Sequence, residues 1–349
     1  MRNNIWKLSL IIIIFPLLSG IILSCDPTEG YEKSMLKPAA KKNYGELLFA
    51  IDKKYWKNKL GFTIKSSFEK LIKTTPLPYE KEFNIDFIVP KKIIKNIKLK
   101  NCIIFINIKD YFPEDPNIVI KRDLWAKGQL IIELNFQSEE SAINYFKYKI
   151  PSLKNKINEF YISSISSNYT IQNILNRELG SEIEYKFKVY NGFKLNKKED
   201  NFWWFSDVQI KKDQNGSHEV QKGILIYKQK YYHQRQFDKA NLIKTRDSVC
   251  YKYLRGKNNT TYMKTQESSL NQIENKVSTI RGKYFSELSG CWKMINDKMG
   301  GSFISLSTLS KNKKYIITIE GYLYAPNFEK QTYLKELKAI LYSPFIKRL

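Results

Sequence analysis

Few side chains in this sequence could act as acids, nucleophiles or metal ligands, and their spacing narrows the chemistry open to them. Three carboxylates stand out by context, Asp247, Asp297 and Glu320. Two acids at the right separation are enough to hydrolyse a glycosidic bond, which makes these three the candidates for a hydrolase. Each has a plain structural reading too. Asp247 adjoins Arg246 on an expected helix, Asp297 lies in the turn Asn296-Asp297-Lys298, and Glu320 precedes Gly321 in an expected strand. Only two histidines occur, His218 beside the Asn215-Gly216 turn and His233 after Tyr231-Tyr232. Neither falls in an HExxH, HxH or CxxC pattern, and there is no Gly-x-Ser-x-Gly elbow, P-loop or GxGxxG. The expectation is no metal, no cofactor and no assignable catalytic residue.

Aromatic residues and turns form a second constellation. The stretch from Gly290 to Gly301 holds Trp292, the turn formers Asn296 and Asp297, and the pair Gly300-Gly301, which permits positive φ or close backbone approach. Trp203 and Trp204 are adjacent in an expected strand, so period two sends their rings to opposite faces. These seven residues are the candidate ligand or partner surface. A tight connection between two strands is the competing reading.

One further residue has chemistry of another kind. Arg2 and Lys7 precede an apolar run from Leu8 to Leu23, followed by Ser24 and Cys25. That is the layout of a secretory signal, residues 1–24. Ile22-Leu23-Ser24-Cys25 resembles a bacterial lipobox, which implies diacylation of the Cys25 thiol, cleavage before it and acylation of the new amine. Each buried methylene contributes about 0.8 kcal/mol, so two or more chains anchor stably. An uncleaved spanning helix is the alternative. The run falls short of the ~20 residues a span needs, and Pro16, Ser19 and Gly20 interrupt it. Residues 25–43, polar and holding Pro27, Gly30 and Pro38, read as a flexible tether.

The chain has 349 residues, 42% hydrophobic and 14% aromatic, which is ample for a packed core and excludes global disorder. Its formal charge of +25 comes mostly from lysine, since only eight of the 59 basic residues are arginine. A reader of bases or phosphates favours the bidentate arginine fork, so no nucleic-acid partner is expected. An anionic lipid, a glycan or an envelope protein remains open as partner, besides the membrane itself. Beyond Cys25, the cysteines are Cys102, Cys250 and Cys291. Cys102 reads as a small buried hydrophobe, and a Cys250–Cys291 bridge is left open.

The elements that must position these residues alternate between periods. Expected strands are Glu46–Ile51, Phe83–Val89, Asn101–Ile108, Leu130–Phe136, Ile183–Val189, Phe202–Ile210, Gly223–Lys230, Tyr284–Ile295, Phe303–Leu309 and Tyr315–Tyr324. Trp56, Leu60, Ile64, Phe68 and Ile72 line one face of a helix over Lys54–Lys73. Ser138 caps another, and Pro151 marks a break before its continuation. Asp238 and Asn327 begin two more. The fold class is α+β, with antiparallel sheets and helices packed on one face, and two pseudo-similar halves over 44–192 and 193–349.

Trp292 through Gly301, Glu320 through Pro326, and Leu337 through Ser343 together resemble the C-terminal signature of an uncharacterised family of Bacteroidetes envelope lipoproteins. Arg122 through Ala126, Asn201 through Trp204, and Lys244 through Val249 extend the likeness over nearly the whole mature chain. The resemblance implies a domain of unknown function, lipid at Cys25 and a place in the cell envelope, with the outer membrane favoured. It supplies no activity and no catalytic residues. The expected function is a non-enzymatic binding or envelope-maintenance protein. A cell-wall hydrolase and a structural partner of an outer-membrane complex are the alternatives.

Overall fold

A computed structural model describes residues 37–346 except 257 and 259, so the expected leader, Cys25 and most of the expected tether lie outside the described residues. From Pro38 onward the chain is one compact unit. The end of the expected tether belongs to it: Ala40 N–H donates to the Lys127 carbonyl at 2.9 Å and Lys41 N–H to that of Leu99 at 2.8 Å.

The first sheet has five strands in the order β2-β1-β3-β5-β4. These are β1 (Glu46–Ala50), β2 (Asn84–Ile88), β3 (Cys102–Ile108), β4 (Asn117–Arg122) and β5 (Leu130–Phe136). Here the antiparallel expectation is corrected, because β1, β2, β3 and β5 run parallel and only β4 opposes its neighbour. The reason is in the strands themselves. Those of β1, β3 and β5 are near-continuous apolar runs, the pattern of strands buried on both faces.

One face of this sheet is covered by α1 (Lys53–Trp56), α2 (Lys59–Phe68), α3 (Glu139–Tyr148) and α4 (Ile150–Ser166). The expected long helix over 54–73 is two pieces. Ser138 caps α3 as expected, its hydroxyl accepting from Ser141 N–H at 3.1 Å, and Pro151 sits in the first turn of α4, where its missing N–H costs nothing. The opposite face is smaller and holds Leu48, Ala50, Ile103 and Ile131, with Ile93, just after one short 3-10 segment, and Ile97, within a second, packed on it.

After α5 (Ile174–Leu179) the chain builds the second sheet, fully antiparallel, in the order β10-β11-β12-β13-β8-β7-β6. Its strands are β6 (Lys194–Glu199), β7 (Phe202–Asp213), β8 (Gly216–Lys230), β9 (Tyr262–Gln266), β10 (Glu274–Ile280), β11 (Lys283–Ile295), β12 (Gly300–Leu309) and β13 (Tyr315–Tyr324). Strand β9 pairs with the far end of β11, whose near end pairs with β10.

Helices cover both faces of this sheet rather than one. Alternation along β8 sends Ile224 and Ile226 toward α7 (Lys330–Tyr342), and Leu225 and Tyr227 toward α6 (Lys239–Tyr253). The two halves therefore differ in strand direction, order and helix cover. They are an α+β pair, not two copies of one plan. The expected strand Ile183–Val189 is also corrected. Its odd residues are buried with strand-like period, but only Val189 pairs with another backbone, in a single antiparallel bridge to Thr170. Phe187 N–H donates to Asn176 Oδ1 at 2.8 Å, and its carbonyl accepts from Asn173 and Asn176.

Candidate functional site

The seven expected surface residues do not converge on one platform. Trp203 and Trp292 are fully buried, on opposite faces of the second sheet. Trp204 is half-buried on the α6 face, and its indole N–H donates to the Tyr322 hydroxyl at 3.0 Å. Tyr322 stands edge-on to Trp292, with ring centroids 5.8 Å apart. Gly223 makes room for that ring, since a Cβ there would lie 1.9 Å from it. So Trp204, Tyr322 and Trp292 form one packed cluster.

Asn296 and Asp297 occupy the exposed β11–β12 turn. Asn296 has φ 57°, and Asp297 Oδ1 accepts from its own turn, from Met299 N–H at 3.2 Å. Gly301 is needed for approach: a Cβ would come within 1.9 Å of the Leu323 carbonyl on β13. Gly300 lies 3.0 Å, by the same measure, from the Trp292 carbonyl.

The carboxylates sort differently. Glu320 on β13 is fully buried beneath α6, where Arg246 meets it through Nη2 at 2.8 Å and Nε at 3.0 Å. Arg246 also donates to Thr265 Oγ1 at 3.0 Å, and its guanidinium stacks 3.8 Å over the Phe303 ring. Burial opposes the Arg246 charge, but the Glu320 carboxylate outweighs it and raises the guanidinium above its ordinary value. Asp247, with Oδ1 3.8 Å from Arg246, accepts the Thr265 N–H at 2.8 Å and ties α6 to β9. Asp297 stays in its turn, far along the chain from this cluster. Burial pushes the Glu320 carboxyl above its ordinary range while the Arg246 charge and hydrogen bonds pull it back. Both its oxygens are taken by the guanidinium, and that geometry commits it to a bidentate ion pair.

The cysteines are equally committed. Cys102, Cys250 and Cys291 are free and buried, and burial pushes each thiol up to about 12. The Cys250–Cys291 bridge is absent, and thiolate chemistry is disfavoured at all three. His218 sits between Asp213, at 3.2 Å, and Asn327, at 2.7 Å; His233 is exposed at a 3-10 turn. Among the described residues no group of three His, Cys, Asp or Glu could hold a metal ion, and no helix is long and apolar enough to cross a membrane.

Sequence reasoning passed over a polar junction where the two halves meet. Glu80 reaches across to the start of α7, and its carboxylate accepts from Lys330 N–H at 2.7 Å and Gln331 N–H at 2.9 Å. It thereby satisfies orphan donors at the positive end of the helix, a capping role normally filled by a residue next in sequence. Gln331 in turn donates to the Lys81 and Glu82 carbonyls. One turn on, Lys335 is buried between the rings of Phe83 and Tyr161, at 5.4 and 6.0 Å. Burial pulls its ammonium down to about 7, against the attraction of Glu82 and Glu80 and with repulsion from Lys338. No residue spacing signals this site, because its parts come from residues 80–83, 161 and 330–338.

The architecture defines a two-part α+β body, a mostly parallel sheet docked through α4 and α7 onto a larger antiparallel one. The parts coincide with two matches to known families. Residues 40–170 match the model of a domain of unknown function (DUF8532), and residues 172–343 that of another domain of unknown function (DUF4837). Together they cover most of the chain, and they part near where the first core gives way to the second. No curated protein matches the chain.

Proposed function

We propose that the chain is a Bacteroidetes envelope lipoprotein, held to a membrane (the outer membrane favoured) by acyl groups on Cys25, whose body works by binding rather than catalysis. The anchor rests on the order of residues 1–25: cations, an interrupted apolar run, then Ser24 and Cys25. The observation that carries binding over hydrolysis is the Arg246–Glu320 pair. It takes the most buried carboxylate out of acid–base work and uses it to fix α6 to the sheet.

The anchor is tested by growing cells on an alkyne palmitate and comparing the wild-type chain with Cys25→Ala. Label on the first and none on the second is expected. An intact mass showing residues 1–24 retained with an unmodified thiol at Cys25 in the wild-type protein would refute the anchor. A glycan or peptidoglycan turnover assay that gave activity abolished by Asp247→Asn, with fold retained, would overturn the binding reading.

A further inference from the structure

Toward the β10–β11 and β12–β13 turns of the second sheet, four separate segments line an open pocket of about 300 Å³. Its floor is apolar: Ile280, Tyr185 and Phe345, with the Tyr185 and Phe345 rings edge-on at 4.8 Å. Phe285 backs Phe345 from beneath at 4.6 Å. Around this floor stand four cations, Lys186, Arg281, Lys283 and Lys311. Arg281 belongs to the β10–β11 turn and Lys311 to the β12–β13 turn.

The charges are not used up internally. Lys186 Nζ donates to the Gly180 carbonyl at 3.1 Å, and Lys283 Nζ to the Tyr185 hydroxyl at 3.3 Å, both neutral partners. Among the described residues no carboxylate lies within 4.0 Å of any of the four charged groups. The one acid in the lining, Glu184, spends an oxygen on the Lys311 backbone N–H at 2.7 Å. Elsewhere on this surface, lysines such as Lys100, Lys121 and Lys239 pair with nearby glutamates. Four cations against the single Glu184 carboxylate, which also meets the Tyr185 hydroxyl, leave the lining net positive. A concave site of net positive charge focuses its field on an entering anion.

We infer that this pocket binds a phosphate ester, its phosphate held by Arg281, Lys283, Lys186 and Lys311 and its apolar portion resting on Tyr185, Ile280 and Phe345. The phosphate matches a guanidinium fork flanked by ammonium groups. The floor requires more than an inorganic ion, and the volume, at the small end for ligand sites, fits a headgroup and its first carbons. A phospholipid headgroup and a soluble phosphate monoester share this chemistry. The inference deepens the binding reading and rests on it, but not on the Cys25 anchor.

The full-length protein in neutral detergent is titrated by calorimetry with dihexanoylphosphatidic acid, glycerol 3-phosphate and inorganic phosphate. At least one ester is expected to bind ten or more times tighter than inorganic phosphate; preference for the phosphatidic acid marks a lipid source, and preference for glycerol 3-phosphate a soluble one. The double variant Arg281→Glu/Lys311→Glu, confined to exposed turns, should weaken that ester at least tenfold. Lys313→Glu/Lys314→Glu makes the same change in net charge outside the pocket and should shift it less than twofold. Equal weakening by both variants, or esters no tighter than inorganic phosphate, would overturn the site. The glycan or peptidoglycan turnover assay with Asp247→Asn reads binding against hydrolysis independently of this titration, so the two readings can fail separately.

Discussion

Replacing Lys335 by methionine should make this protein more stable, and the gain should depend on pH in a defined way. In the folded chain, burial between Phe83 and Tyr161 lowers the Lys335 ammonium from 10.5 to about 7. Glu82 and Glu80 attract the charge and Lys338 repels it, and burial prevails. At about 1.36 kcal/mol for each tenfold in proton affinity, the cost of the charged form is about 3–6 kcal/mol. The unfolded chain keeps its proton up to the ordinary lysine range. Between about pH 7 and pH 10.5 the unfolded state therefore holds more protons than the native one, and stability rises with pH. Below pH 7 the full cost is present.

Lys335→Met removes that cost while keeping the length of the side chain. Urea unfolding of wild-type and variant, followed by tryptophan fluorescence from about pH 6 to about pH 10, gives the difference directly. Titrations common to both proteins cancel. The variant should lead by about 3–6 kcal/mol near pH 6, with the lead shrinking toward zero near pH 10. A difference constant across the range, or a variant less stable than wild type throughout, would refute the reasoning.

Two further changes probe the packing. Glu320→Gln leaves Arg246 buried without its counter-charge and should cost about 3–5 kcal/mol, read as a lower urea midpoint; an unchanged midpoint would remove the pair's structural role. Glu80→Ala strips the cap from α7 and should cost about 1–2 kcal/mol, with faster hydrogen exchange at Lys330 and Gln331. Exchange at those two amides unchanged from wild type would show that the cap is not needed.

What the sequence disclosed follows from how local each signal is. Ser138, the acids after it and Pro151 fix the ends of α3 and α4 within one turn of chain, and they were legible. So were the interior strands, whose apolar runs need no partner to be recognised. Direction was harder to see: β1, β3 and β5 are apolar enough for either pairing, and what lies between them decides that they run parallel, the helices α1 and α2 with β2 in one case and the edge strand β4 in the other. The strands β6 and β10 are edges, and Lys194, Lys197, Lys198 and Lys276 on them hide the β pattern. Ile183–Val189 alternates like a strand because its odd residues face the core, yet asparagines take the backbone groups of Phe187 and only Val189 finds a backbone partner, Thr170. The tryptophans misled by type, since aromatic rings that could meet a ligand serve equally well as core. Neither the phosphate pocket nor the Lys335 junction was visible, because each gathers residues more than a hundred positions apart.

The grip of Glu80 on the start of α7 bears on how the chain can be divided. Two families are recognised on either side of residue 171, and a gene cut there would look clean on paper. The helix that closes the later portion would then begin with bare amides, and the Lys335 side chain would lose the rings that enclose it. Neither fragment would inherit a finished surface at that cut. The seam between the families is where two sequence patterns meet, while the unit that must be expressed, purified and melted is the whole body.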